Sequence, residues 1–234
     1  MNLIFMDLDG TLEDSRIDMI ESVNSVREYF ELNPLKPLMI EPNVKQGMEH
    51  LYRSCFAEMF PGGAQNRGRP EASVMEEIRR AYEADYRKNV SHHTVPYNGI
   101  PEAVEKLADM GVLAVYTNKP QQISRKLLLE LDLSEYFSFI IGCDTFEETK
   151  PSPKPMQRIA RDADFDRAKD KCFMIGDSGG DMKAAAAFDA VSIWCSWGYY
   201  KEAPVEPAPR FTVNTPAELP GLIEEHGSPD EPGS

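Results

Sequence analysis

Carboxylates stand in this chain directly after apolar runs, the places where acidic side chains can gather for chemistry. Asp7 and Asp9 follow Leu3-Ile4-Phe5-Met6, and Asp177 and Asp181 follow Cys172-Phe173-Met174-Ile175. In an extended stretch residues two apart point the same way, so Asp7 and Asp9 can face one space, with Gly10 letting the backbone turn sharply behind them. Two carboxylates with different tasks suit covalent phosphoryl transfer, in which one attacks and the other gives and takes a proton. Asp7, Asp9, Asp177 and Asp181 also make an all-oxygen donor set that suits Mg²⁺ and offers nothing to zinc or copper. Such a cation would let an anionic phosphate approach an anionic nucleophile. Thr117, in Thr117-Asn118-Lys119, and Lys150, in Lys150-Pro151-Ser152-Pro153, can hydrogen-bond phosphoryl oxygens and stabilise the charge spread over them. Each piece alone has a plainer reading: an acidic turn at Asp7 to Gly10, a helix N-cap at Thr117, a solvated charge at Lys150 and a flexible turn at Gly176 to Asp181. Their occurrence in this order, each at a strand end, argues for a site.

The elements that must position them are visible as apolar runs of strand length. Besides the two already named, these are Val112 to Tyr116, Phe139 to Ile141, Val191 to Trp194 and Phe211 to Val213. Continuous rather than alternating hydrophobicity implies strands buried on both faces. Helical spacing lies between them, in Val104-Leu107-Ala108, Ile123-Leu127-Leu128-Leu131 and Met156-Ile159-Ala160-Ala163, each after a proline suited to a first helical turn. The expected class is therefore α/β, a Rossmann-like parallel sheet with helices on both faces. Residues 15–92 differ, since their apolar positions keep helix spacing throughout and Pro61 to Pro70 breaks two of the helices. The expected organisation is a core of residues 1–14 and 93–226, an inserted all-helical cap at 15–92, and a disordered tail at 227–234.

Composition narrows the function. The 234 residues carry 25 basic and 39 acidic side chains, a formal charge of −14, which disfavours nucleic acid and anionic lipid. No apolar run approaches the roughly 20 residues of a membrane span. The four cysteines are scattered, without a zinc pattern, and read as reduced core thiols. With no basic and apolar leader pattern before Asp7, the expected compartment is the cytoplasm.

Together these motifs resemble the haloacid dehalogenase superfamily of aspartate-nucleophile phosphatases. Asp7 to Thr11 resembles its first motif, Thr117 its second, Lys150 its third and Gly176 to Asp181 its fourth, and the helical insertion resembles its mobile cap. Pro96 to Ile100, Tyr116 to Lys119 and Lys150 to Pro153 are similar to the phosphoglycolate phosphatase branch. The resemblance implies that Asp7 becomes an aspartyl phosphate, while Asp9 protonates the leaving alkoxide and then activates water. It implies Mg²⁺ held by Asp7, the Asp9 carbonyl and Asp177, with Asp181 completing the shell or orienting Lys150. Gly10, Thr11, Thr117, Asn118 and Lys150 would hold the phosphoryl group. An acid at position 9 favours phosphate esters over carbon–halogen bonds. Lys154 is a second candidate for the third-motif lysine, though the Lys-Pro-x-Pro pattern favours Lys150. Substrate choice would come from the cap, where Gly47 resembles a substrate-reading loop position and Lys45 or Arg53 could pair with a substrate carboxylate, against the plainer reading of solvated charges. His92 and His93 receive no catalytic role.

The expected activity is thus Mg²⁺-dependent hydrolysis of a small phosphorylated metabolite, 2-phosphoglycolate first, by a monomer or homodimer. The rivals are a nucleotide or sugar-phosphate phosphatase, a sugar-phosphate mutase, a catalytically silent homologue, and, in another class, a phosphate-binding regulator of receiver type. Gly176-Asp177-Ser178-Gly179-Gly180 also resembles the serine segment of chymotrypsin-like proteases, but those are all-β and have proline where this chain has Asp181.

Overall fold

A computed structural model describes residues 1–227, so all of the expected tail except Gly227 lies outside the described residues. In chain order, strand β1 (Asn2–Met6) and the two-residue β2 (Glu13–Asp14) precede helices α1 (Arg16–Tyr29), α2 (Pro37–Val44), α3 (Met48–Cys55) and α4 (Glu71–Tyr86). Then come β3 (Val95–Pro96), α5 (Ile100–Met110), β4 (Gly111–Tyr116), α6 (Gln121–Glu130), β5 (Phe137–Ile141) and α7 (Lys154–Asp162). The chain continues through β6 (Lys171–Gly176), α8 (Gly179–Phe188), β7 (Val191–Cys195), β8 (Phe211–Val213) and α9 (Glu218–His226). The contacts divide it into two units, Met1–Asp14 with Val95 onward, and Ser15–Thr94.

In the first unit a six-stranded sheet has the order β5-β4-β1-β6-β7-β8, and every pairing in it is parallel. β1 is central, and Leu3, Ile4, Phe5 and Met6 are fully buried. Each such side chain contributes roughly 1.5–3 kcal/mol through its removal from water. One face carries Leu3, Phe5, Tyr116, Met174, Met156 and Phe188 in a continuous cluster. Register then decides the chemistry: Met6 pairs with Val115 on one side and Ile175 on the other, so the residues that follow emerge side by side at the carboxyl ends of three adjacent strands. The strand order also reverses at β1, and in open parallel sheets such a switch point opens a crevice.

The second unit is a set of helices with its own core. α4 buries Val74, Ile78, Tyr82 and Tyr86, one stripe at helical spacing. Tyr82 stacks on Tyr86 and meets Tyr52 of α3 edge-on. Arg27 of α1 is buried here, its guanidinium donating to Glu58 and to the Cys55 and Asn33 carbonyls, so the buried charge is paired and hydrogen-bonded. His93 and Thr94 group with the helices because Asp18 of α1 accepts their amides at 2.8 Å. Among the described residues no helix is long and apolar enough to cross a membrane.

Candidate active site

The backbone ladder of β1 runs one residue past the strand, with the Asp7 amide donating to the Ile175 carbonyl at 2.9 Å. Asp7 Oδ1 accepts the Leu8 amide at 2.7 Å and lies 2.7 Å from Lys150 Nζ, while Oδ2 is engaged by neither. The same Nζ donates to Asp181 Oδ1 at 2.7 Å, so one ammonium sits between two carboxylates. Burial opposes the charge of Lys150, but Asp181 and Asp7 outweigh it and hold the ammonium above the usual lysine range. Burial, then repulsion from Asp181, pushes Asp7 well above the usual carboxylate range, against the pull of Lys150.

Asp181 also caps a helix. Ser178 is the N-cap of α8, and its amide and hydroxyl donate to Asp181 Oδ2 at 2.9 and 2.6 Å. The Gly-Asp-Ser-Gly-Gly segment is therefore a strand-to-helix joint with Ser178 as its cap. Asp177, 2% exposed, accepts the Tyr199 amide through Oδ2 at 2.6 Å and faces the Thr11 hydroxyl, 3.4 Å from Oδ1. Glycines make room for it: a Cβ on Gly10 would lie 2.4 Å from Asp177 Oδ2, and one on Gly198 would lie 2.2 Å from Asp177 Cβ. Burial and Asp181 raise Asp177 to about 7.

Asp9 is held apart from this group by a different cation. Lys119 Nζ donates to Asp9 Oδ1 and lies 3.6 Å from Glu13 Oε1. Glu13 is fully buried, and burial followed by the neighbouring Asp9 raises it well above the usual range, with Lys119 pulling the other way. Thr117 is buried, and its Oγ1 accepts the Lys119 amide at 3.1 Å, which leaves the hydroxyl hydrogen available to a ligand. The Asn118 side chain accepts the Thr149 hydroxyl at 2.9 Å. Lys154 is exposed and paired with Glu148, whereas Lys150 is buried among carboxylates, so burial separates the two lysines. In the helical unit Lys45 caps the end of α2, Gly47 caps the start of α3 at φ 93°, and Arg53 pairs with Glu49 and Glu71 on the surface.

The donor atoms of Asp7, Asp177 and Asp181 lie within 4.8 Å of one another. Once ionised, three buried carboxylates against a single lysine carry an excess of two negative charges, which a divalent cation would balance, and oxygen-only donors suit a hard ion. The residues present therefore fit a divalent metal.

Sequence spacing did not single out Glu13 or give Lys119 a role. Lys119 stood beside Thr117 in a strand-end run, which was its only signal. Glu13 had none, because the acidic pair Glu13-Asp14 after Thr11-Leu12 reads as solvated turn residues.

Residues 4–195 match the family model described as haloacid dehalogenase-like hydrolase. The chain belongs to the haloacid dehalogenase-like hydrolases. Among the relatives of this hydrolase, the phosphoglycolate phosphatase of Aquifex aeolicus (strain VF5) is 32% identical over 232 residues, covering 97% of this chain and 98% of the relative. The phosphoglycolate phosphatase of Chromobacterium violaceum is 29% identical over 222 residues, covering 94% and 96%. The crystal structure of a predicted phosphoglycolate phosphatase from Haemophilus somnus 129pt shares the fold of this haloacid dehalogenase-like hydrolase with a TM-score of 0.80 at 23% identity, covering 94% of this chain and 97% of that one.

Proposed function

We propose that the chain is a Mg²⁺-dependent phosphatase for small phosphorylated metabolites, with 2-phosphoglycolate as its substrate. The observation that carries this reading is the separate cation given to each of the first two aspartates: Lys150 beside Asp7 and Lys119 beside Asp9. Two carboxylates in different electrostatic settings can take different roles.

Asp7 Oδ2 attacks phosphorus as the bond to the ester oxygen breaks, and Asp9 in its protonated form delivers a proton to the departing alkoxide. Thr117, with the Asn118 amide, and Lys150 hold the phosphoryl oxygens, and Gly10 and Thr11 line the turn beneath them. Water then attacks the phosphorus of the aspartyl phosphate, Asp9 takes its proton, and phosphate and the Asp7 carboxylate are released. Asp7, the Asp9 carbonyl and Asp177 would hold the Mg²⁺, with Asp181 orienting Lys150, and the ion supplies the positive charge that lets an anionic ester meet an anionic nucleophile. Lys119 and Glu13 position Asp9. The phosphoglycolate phosphatases matched over nearly the whole chain favour that ester, and the four free cysteines favour the cytoplasm.

Phosphate release from 2-phosphoglycolate, hexose phosphates and nucleoside monophosphates, with Mg²⁺ or with EDTA, tests the reading. The expected result is Mg²⁺-dependent turnover fastest on 2-phosphoglycolate and lost in Asp7→Asn. Preference for a nucleotide or sugar phosphate would overturn the substrate, conversion of hexose 1-phosphate to the 6-phosphate would make the chain a mutase, and undiminished turnover by Asp7→Asn would overturn the mechanism.

A further inference from the structure

Within the helical unit, at the end where the chain joins it and leaves it, four potential ligands converge. Asp18 and Glu21 come from the first turns of α1, and His92 and His93 from the segment before β3, with a donor atom of each within 4.8 Å of the others. Asp18 is the buried member and its oxygens are already occupied. Oδ1 accepts the His93 amide at 2.8 Å, and Oδ2 accepts the Thr94 amide at 2.8 Å and the Thr94 hydroxyl at 2.6 Å. It thus fixes the backbone that carries the histidines and leaves Glu21, His92 and His93 as the exposed donors.

Their arrangement differs from that of ordinary solvated side chains. Adjacent residues in extended backbone point to opposite sides. Here the bend at 91–93 turns both rings the same way, with centroids 4.3 Å apart. The Glu21 carboxylate spans them: Oε2 lies 3.7 Å from His92 Nδ1, and Oε1 lies 3.2 Å from His93 Nε2. Donors bound about 2.0–2.1 Å from one tetrahedral ion stand about 3.4 Å apart, between these two values. Two imidazoles and a carboxylate select a borderline ion such as Zn²⁺, Co²⁺ or Ni²⁺ over Mg²⁺, the opposite preference to the all-oxygen group of Asp7, Asp177 and Asp181.

We infer that Glu21, His92 and His93 form a second metal site, for a borderline divalent transition ion, with a coordination position left to water. The ion would join the first turns of α1 to the segment at 91–94, with Asp18 behind it as the orienting group.

Calorimetric titration of the untagged full chain with Zn²⁺, in excess Mg²⁺, tests the site. Wild type and Asp177→Asn should both bind one Zn²⁺, whereas the His92→Ala/His93→Ala double variant should bind it at least about ten-fold more weakly, as should Glu21→Gln. Co²⁺ should give visible d–d absorption in wild type that the double variant lacks. These three side chains are exposed, so unchanged far-ultraviolet circular dichroism will show that the variants fold. Equal Zn²⁺ affinity in wild type and the double variant, Zn²⁺ binding that disappears only in Asp177→Asn, or no Zn²⁺ binding at all would each overturn the proposal.

Discussion

Replacing Asp177 with asparagine should stabilise the metal-free protein, by an amount that depends on pH. Burial and the neighbouring Asp181 raise the Asp177 carboxyl from its ordinary 3.8 to about 7. Between those values the folded protein keeps a proton that the unfolded chain gives up. Stability from this group is therefore present at low pH and lost as pH rises toward 7. Each unit corresponds to about 1.4 kcal/mol, so a shift of about three units gives an upper bound of about 4 kcal/mol at pH 8. An asparagine carries none of this penalty. Its Oδ1 can still accept the Tyr199 amide, and its Nδ2 can donate to the Thr11 hydroxyl that Asp177 Oδ1 now faces. In EDTA the advantage of Asp177→Asn should grow by about 2–3 kcal/mol between pH 5 and pH 7 and then level off. For a chain of this length that is a widening of about 5–10 °C in Tm, within reach of scanning calorimetry. With Mg²⁺ at about a hundred times its dissociation constant, wild type alone should recover about 2.7 kcal/mol. An advantage that stays flat from pH 5 to pH 8, or a variant less stable than wild type at pH 8 in EDTA, would refute the electrostatic account of the site.

Three further outcomes follow from the geometry. Lys119→Met leaves Asp9 beside Glu13 without its cation, and kcat should fall about 10–100-fold with a smaller change in KM, read by steady-state kinetics on the preferred ester. Asp181→Ala removes the α8 cap partner and one of the two carboxylates around Lys150, so urea denaturation should show a loss of about 2–4 kcal/mol, and an unchanged midpoint would contradict the assigned bonds. Gly198→Ala pushes a methyl group to 2.2 Å from Asp177 Cβ, and should cost about 1–3 kcal/mol and lower activity together, whereas Gly221→Ala, with nothing within 4 Å, should leave activity unchanged.

The sheet was legible in the sequence because its strands are covered on both faces, which writes them as unbroken apolar runs. Phe211 to Val213 appears in the structure with the expected bounds, and Val112 to Tyr116 gains only Gly111. The β2 and β3 pair was invisible, since two residues are too few for any period to register. α9 escaped notice because Pro220 and Gly221 lie inside it and read as a break, although a proline in the first turn costs little. At the site, strand-end position was enough to draw attention to Asp7, Thr117, Asp177 and Asp181. What it could not supply was pairing. That Lys119 meets Asp9 and Lys150 meets Asp7 depends on how the loops after β1 and β4 fold back, and a buried acid such as Glu13 is recognisable only once its surroundings are known. The two histidines before β3 drew notice only by their place near the end of the helical insertion and were given no catalytic role, because the bend that aligns their rings depends on an acid in α1, more than seventy residues earlier in the chain.

The capping box at α8 gives Asp181 two employers. The helix needs its carboxylate to start, and the site needs it to hold Lys150. The Asp9 carboxylate, by contrast, accepts from Lys119. In a lineage drifting away from catalysis, selection for a folded chain alone would keep an acid at position 181. Among relatives of this chain, then, an intact fourth motif is weak testimony to activity. A chain that keeps the cap but has lost the acid at the position of Asp9 would be the recognisable remnant of a retired enzyme.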